Sequence, residues 1–348
     1  MSALKLRLLF LSFVFLICLI PSIVKAASFD CKKASTEFEY LICDNADLNR
    51  LDEDLGKAYK LKRDNLSKDG RDLLKSSQRN WLKYVQGDIC KPVYLSNFSR
   101  GLTRLECVVE KYQSRIRSLT YDLEINSRTL AKSIVVPMFV GGSIGGDGVC
   151  SHTEETQYLD MSPKLNEALS RLSYTYYIDP EPCVEPDGGW VDEFEQTISI
   201  TKVVNDRFLG VEVAGSSCCG AHGSDWHFYH YYDLLDEKFL TYEDVFNGED
   251  WFEVVKKEAG QKFVERWKDN GDSVGLTNED IEWILGDINE QTPPSGSSDF
   301  SWQVTSEGFS IVGQWFPHVS RAFDEHDIAW SSVKGHLTPL GLLLSGQH

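Results

Sequence analysis

Cysteine and histidine residues are concentrated between residues 218 and 230, where they could bind a metal ion or form disulfides. Cys219 and His222 are separated by two residues, as are His227 and His230, and thiolate and imidazole groups are ligands that Zn²⁺ prefers. His227 and His230 lie in a strand-like segment, where side chains three positions apart point to opposite faces. We therefore predict no metal ion and no other cofactor, and keep zinc binding as the alternative.

The cysteines are more readily explained as disulfides. Apart from Cys18 there are eight, an even number, and four of them precede residue 130. Adjacent α-carbons are about 3.8 Å apart, whereas a disulfide joins α-carbons about 4.4–6.8 Å apart. Cys218 and Cys219 should therefore bond to different partners. This leaves two possible pairings among the four cysteines after residue 130 and three among the four before it. We predict two bridges in each half and none between them: among Cys31, Cys43, Cys90 and Cys107, and among Cys150, Cys183, Cys218 and Cys219.

The sequence gives only weak support for catalysis. The run Gly215-Ser216-Ser217-Cys218 differs from the G-x-S-x-G nucleophile elbow. A bridged cysteine cannot act as a nucleophile, and paired carboxylates are expected by chance in a chain with 53 Asp and Glu. We predict a binding protein and not an enzyme.

The N-terminus has the pattern of a secretory signal peptide. Lys5 and Arg7 precede an apolar run from Leu8 to Ile20, and small residues follow near residue 26. The run is shorter than the roughly 20 residues that span a bilayer. We predict cleavage after residues 1–26, a periplasmic or secreted protein, and no transmembrane anchor after cleavage.

Charge divides the rest of the chain in two. Residues 27–130 have a net charge of +3, whereas residues 131–348 have a net charge of −24. We predict a domain boundary near residue 130, with a helical domain at 27–130 and an acidic domain at 131–348. A chain this acidic is excluded as a nucleic-acid-binding protein, because binding phosphates requires a basic surface.

The first half is predicted to be helical. Thr36 and Glu39 form a capping box, and apolar residues recur every three or four positions in 48–59, 74–85 and 102–123. The cysteines stand within a longer motif: Ser28-Phe29-Asp30-Cys31-x-Lys33-Ala34-Ser35-Thr36, Glu39-x-x-Ile42-Cys43, Leu48-x-x-Leu51-Asp52, Gln78-x-x-Trp81-Leu82, Cys90 and Cys107. This pattern, over residues of about 28–120, resembles the N-terminal domain of LprI-like lysozyme inhibitors. The resemblance implies a disulfide-tied helical domain and a link to lysozyme.

The second half is predicted to be α+β, an antiparallel sheet packed against helices. Turns at Asn205-Asp206 and Glu307-Gly308 suit hairpins. Strand-like runs are Ile134–Val140, Phe194–Val204, Phe208–Val213, Trp226–Asp233, Phe300–Thr305, Phe309–Gln314 and Ile328–Val333. Helical runs are Pro163–Leu172, Glu249–Lys268 and Asn278–Asn289, the last capped by Thr277 and Asp280.

A second resemblance covers residues of about 195–335. Its motifs are Gly220-Ala221-His222-Gly223, Tyr229-x-x-Tyr232-Asp233-Leu234, Leu240-Thr241-x-Glu243-Asp244-Val245-Phe246, Phe300-x-Trp302-x-Val304-Thr305, Phe316-Pro317 and Asp327-Ile328-x-Trp330. They resemble the extracellular domain shared by RsiV-type anti-sigma factors and some polysaccharide deacetylases, which implies direct lysozyme binding. This chain departs from that family between Pro317 and Asp327.

These observations predict an exported bacterial envelope protein that binds lysozyme, to inhibit or to sense it. The resemblance implies animal-type lysozymes as targets. These are typically basic, and an acidic surface steers a basic partner towards it. The alternatives are a peptidoglycan- or polysaccharide-binding module, with cell-wall glycan as the ligand, and an enzyme acting on the wall. The predicted binding residues lie in the divergent loop and near the cysteine pair: Trp315, Phe316, His318, Asp324, Glu325, His222, Asp225 and His227.

Overall fold

The structure is a computed structural model. It describes residues 28–87, 90, 102–125, 129–144, 148–175, 192–218, 224–274, 277–293, 300–312 and 325–347, so the predicted signal peptide lies outside the described residues. Contacts between α-carbons divide the chain into two units, Met1–Ala58 and Tyr59–His348. The domain boundary near residue 130 stays a prediction.

The first half is helical, as predicted. After a 3-10 turn at Cys31–Lys33 come four helices: α1 (Glu37–Asp44), α2 (Ala46–Asp64), α3 (Lys68–Gly87) and α4 (Arg104–Thr120). The Thr36–Glu39 capping box at the start of α1 is present. Within this half Cys31 is bonded to Cys43, and Cys90 to Cys107. This is one of the three pairings of the four cysteines that the sequence left open.

Buried polar contacts join α3 and α4 to the first long strand, Ser133–Ile144. The guanidinium of Arg115 donates to Gln78 Oε1, to Ser77 Oγ and to the carbonyl of Val135, at 3.0, 2.8 and 2.9 Å. Ser77 Oγ donates to the same carbonyl at 2.6 Å. Desolvation lowers the pKa of Arg115 to about 10, so the guanidinium stays charged at neutral pH. The helices thus cover a carbonyl on a strand that would otherwise present an open edge.

The second half is α+β, as predicted. A short hairpin of β1 (Leu123–Ile125) and β2 (Thr129–Ala131) precedes a six-stranded sheet. The strands of the sheet are β3 (Ser133–Ile144), β4 (Gly148–Leu159), β5 (Asp192–Val204), β6 (Phe208–Cys218), β7 (Ser224–Asp233) and β8 (Lys238–Phe239). They lie side by side in this order. The turn between β5 and β6 has positive φ at Asn205 and Asp206, which favours the predicted tight hairpin.

One strand pair of this sheet is parallel, unlike the antiparallel arrangement predicted for the sheet. β4 and β5 run in the same direction, with Thr156 opposite Ile198. Helix α5 (Pro163–Thr175) lies between them in sequence, and such a crossover is what a parallel pair requires. Leu165 and Leu169 of α5 pack against Ile198 and its buried neighbours on one face of the sheet.

The C-terminal part builds a second, aromatic-rich core. Its elements are α6 (Tyr242–Val245), α7 (Trp251–Val274), α8 (Asn278–Glu290), β9 (Gln303–Val304), β10 (Gly308–Val312), β11 (Glu325–Ala329), α9 (Trp330–Val333), a 3-10 turn at Lys334–His336 and α10 (Pro339–Ser345). β9, β10 and β11 form a separate three-stranded sheet. Tyr231, Phe300, Phe309 and Trp330 meet in this core with no exposed surface.

The strand predicted over Ile328–Val333 is wrong from Trp330 onward, where the chain is helical. The backbone N–H of Trp330 donates to the carbonyl of Glu307 at 3.1 Å, and its indole N–H donates to the carbonyl of Thr305 at the same distance. These bonds end the strand pairing at Ala329 and turn the chain into helix α9.

The helices of the described residues include none with the length and apolar character that a membrane span requires.

Candidate functional site

Most of the predicted binding residues cannot be placed in the structure. Trp315, Phe316, His318, Asp324 and His222 lie outside the described residues. For Asp225 and Glu325 the structure describes the backbone alone: Asp225 is opposite Ser216 in the sheet, and Glu325 is opposite Val312. His227 is the one candidate whose side chain is described, and it marks the part of the sheet that can be analysed.

The two histidines of β7 point to opposite faces of the sheet, as the strand period predicted. The side chain of His227 is 49% exposed, whereas His230 is fully buried. Desolvation lowers the pKa of His230 to about 4, which keeps this imidazole neutral at pH 7. Among the residues that the structure describes, no three His, Cys, Asp or Glu side chains are grouped to hold a metal ion.

His227 belongs to a polar face that crosses four strands. The pairing register places Glu155 of β4, Thr197 of β5, Ala214 of β6 and His227 of β7 in one row. Glu155, Thr197 and His227 are exposed. The residues that alternate with them point to the other side, into the core beneath α5. We call this surface the acidic sheet face and define it by Glu155, Glu195, Thr197, Glu212, His227 and Tyr229.

Glu212 is held in place at the centre of this face. Its Oε1 accepts a hydrogen bond from the hydroxyl of Tyr229 at 3.1 Å and lies 3.1 Å from Nδ1 of His227. Glu195 is exposed in the neighbouring row, opposite Ser216. The face therefore presents several carboxylates on a rigid sheet, an arrangement suited to a cationic surface. Lys111 of α4 lies near enough to Glu155 and Glu195 to interact with them electrostatically.

The sequence alone did not identify Glu155, Glu195, Glu212 or Tyr229 as site residues. β4 was missed because its residues 150–157 are nearly all polar, so it lacks the apolar alternation by which strands are predicted. The polar positions 195, 197 and 199 of β5 do alternate with buried ones. That alternation was the available signal for the face.

The motif residues of the second resemblance mainly build the fold. Thr241 and Asp244 form a capping box at the start of α6, and Phe246 and Trp302 lie in the aromatic core. Asp233 is buried and bonded to Arg207. The described part of this motif therefore mainly positions the site, and Tyr229 is the motif residue that also lies on the acidic sheet face.

The cysteines of the second half cannot be assigned partners. Cys183 and Cys219 lie outside the described residues, and of Cys150 and Cys218 the structure describes the backbone alone. The two bridges expected there stay a prediction.

Comparison with known proteins finds one family match, in the N-terminal part of the chain. Residues 30–119 match the sequence model of a protein family described as lysozyme inhibitor LprI. The match covers the four helices up to the end of α4 and agrees with the motif found in the sequence. No curated protein matches the chain.

Two solved structures of DUF3298 family proteins are similar to the chain. One, from Pseudomonas aeruginosa PAO1, has 17% sequence identity and a TM-score of 0.40, covering 59% of this chain and 94% of that chain. The other, from Bacteroides fragilis NCTC 9343, has 16% identity and a TM-score of 0.42, covering 62% and 97%. The resemblance of the second half to the RsiV-type domain stays a prediction.

Proposed function

We propose that this chain is an exported envelope protein that binds a basic lysozyme and thereby inhibits or senses it. The observation that carries the proposal is the match of residues 30–119 to the lysozyme inhibitor LprI family. The disulfides Cys31–Cys43 and Cys90–Cys107 support export, because such bonds persist in oxidising compartments.

Charge supports the same partner. Residues 131–348 carry the net charge of −24, and the acidic sheet face displays Glu155 and Glu195 to solvent. A negatively charged surface raises the association rate of a basic protein and lowers the association rate of an acidic one.

The test is surface-plasmon kinetics of the full mature chain on an immobilised basic animal-type lysozyme, at two salt concentrations. We expect binding whose association rate falls steeply as salt rises, because the Debye length shrinks from about 10 Å at 0.1 M to about 3 Å at 1 M. Binding to purified peptidoglycan with no response to lysozyme, or turnover of that peptidoglycan, would reject the proposal in favour of a glycan-binding module or an enzyme.

Neutralising the acidic sheet face is expected to slow association. In the double variant Glu155→Gln/Glu195→Gln the association rate should fall by roughly 2- to 10-fold at low salt, with little change in dissociation. The same kinetic measurement checks this, and the difference should shrink at high salt.

The matched control is Glu167→Gln/Glu243→Gln, which removes the same charge from α5 and α6. Both of these residues are exposed and lie outside the acidic sheet face. Equal slowing by the two double variants would show that net charge alone acts, and that this face has no special part.

A further inference from the structure

Helix α8 exposes a tryptophan on the side away from its core. Ile281, Ile284 and Ile288 of this helix are buried together with Phe263 of α7 in a small apolar cluster. Trp283 lies between them in sequence, yet it is 53% exposed. Among the large apolar side chains found exposed in the described residues, it is the one tryptophan.

The position of Trp283 on the helix follows from the α-helical period. At about 100° per residue, Trp283 lies almost opposite Ile281, Leu285 and Ile288. Its neighbours one turn away are Glu279 and Asp287. This indole therefore does not belong to the cluster that joins α8 to α7, and the packing of the hairpin does not explain it.

Among the described residues, the surface of α8 near the indole is open at Gly286 and is acidic. A Cβ atom at Gly286, three residues after Trp283, would meet no heavy atom within 4 Å, so the helix surface is open at that position. α8 contains five carboxylates and no basic residue. Asp280 is used in the capping box with Thr277.

The other carboxylates of α8 are available to a ligand. Those of Glu279, Glu282, Asp287 and Glu290 make no ion pair or hydrogen bond with the residues that the structure describes. The exposed carboxylates of Glu167 and Glu237, in contrast, pair with Arg171 and Lys164.

An indole on a helix rich in carboxylates suits a planar cationic side chain. The face of a tryptophan attracts a cation, most often the guanidinium of arginine. A carboxylate beside the ring can accept hydrogen bonds from the same planar group. A neutral sugar can also stack on the indole and donate hydroxyl hydrogen bonds to the carboxylates, but it carries no positive charge to complement them.

We propose that Trp283, Glu279, Glu282, Gly286 and Asp287 form a docking surface for an arginine-bearing surface of a basic protein. A guanidinium stacks on the indole of Trp283, and Glu279 or Asp287 accepts its hydrogen bonds. The identification of this protein as lysozyme rests on the proposed function. Trp283 is then the desolvated anchor, and the carboxylates form the rim around it.

The test compares variants of the full mature chain on immobilised basic lysozyme. Trp283→Ala should weaken binding by roughly 10- to 100-fold, mainly through faster dissociation, as is typical when an aromatic anchor is truncated. Trp283→Phe keeps an aromatic face and should recover part of the loss. Tyr121→Ala is the matched control, because Tyr121 is a similarly exposed aromatic residue, and it should bind like the wild type. Thermal unfolding of each variant checks the fold.

A second probe separates failure of this inference from failure of the proposed function. If the wild type binds lysozyme and Trp283→Ala binds equally well, this inference is overturned while the proposed function stands. If the wild type does not bind lysozyme, an arginine-rich peptide is titrated while tryptophan fluorescence is followed. A fluorescence change that is absent in Trp283→Phe supports the docking surface. An unchanged signal, or a response to chitooligosaccharide in its place, overturns it.

Discussion

Arg207→Met is expected to lower the free energy of unfolding by about 3 kcal/mol. Arg207 follows the β5–β6 turn, and Asp233 at the end of β7 is fully buried. Nε and Nη2 of Arg207 donate to the two carboxylate oxygens of Asp233 at 2.8 and 2.6 Å. Without the guanidinium, a buried carboxylate would be left with only the backbone N–H groups of Leu235 and Asp236.

Denaturant unfolding followed by circular dichroism measures this effect, and Asp236→Asn is the control. Asp236 accepts from the same Nη2 at 3.1 Å, but its side chain is half exposed. Exposed ion pairs contribute about 0–1 kcal/mol, so this variant should unfold nearly like the wild type. Similar losses in both variants would mean that burial of Asp233 does not determine the strength of the pair.

Local features of the fold were predicted from sequence where one segment determines its own structure. The capping boxes at Thr36 and Thr277 are present, and the helix that follows Thr277 was predicted to within one residue. Both depend on a hydroxyl and a carboxylate three residues apart. Trp330 shows the limit of this reasoning, because its strand ends through hydrogen bonds to Glu307 and Thr305, more than twenty residues away.

The candidate site was harder to predict, because it is assembled by strand register. Glu155 and His227 are about 70 residues apart in sequence and share one row only because β4 and β5 pair in parallel. That pairing depends on a crossover, which no local pattern specifies. Trp283 was overlooked for a different reason: apolar residues recur around it, and only the helical period separates its face from the buried one.

Acidification from pH 7 to about pH 4.5 should destabilise the protein by about 2 kcal/mol through His230 alone. Desolvation lowers the pKa of this buried imidazole to about 4, from a model-peptide value of 6.5. Below pH 6.5 the unfolded chain therefore binds a proton that the folded chain does not. The stability contributed by the neutral imidazole is complete above pH 6.5 and is lost as the pH falls towards 4.

Urea unfolding at several pH values between 7 and 4.5 measures this slope in the wild type and in His230→Gln. The variant starts from a lower stability, because the buried site is altered, but its stability should change less with pH. His227→Gln is the control, because it removes a histidine from the same strand whose imidazole is exposed and not buried. Buried carboxylates that are ionised in the folded state, such as Asp233, lose their stabilisation at lower pH and do not account for a difference between the two histidine variants. If His230→Gln keeps the slope of the wild type, another group is responsible for the acid sensitivity.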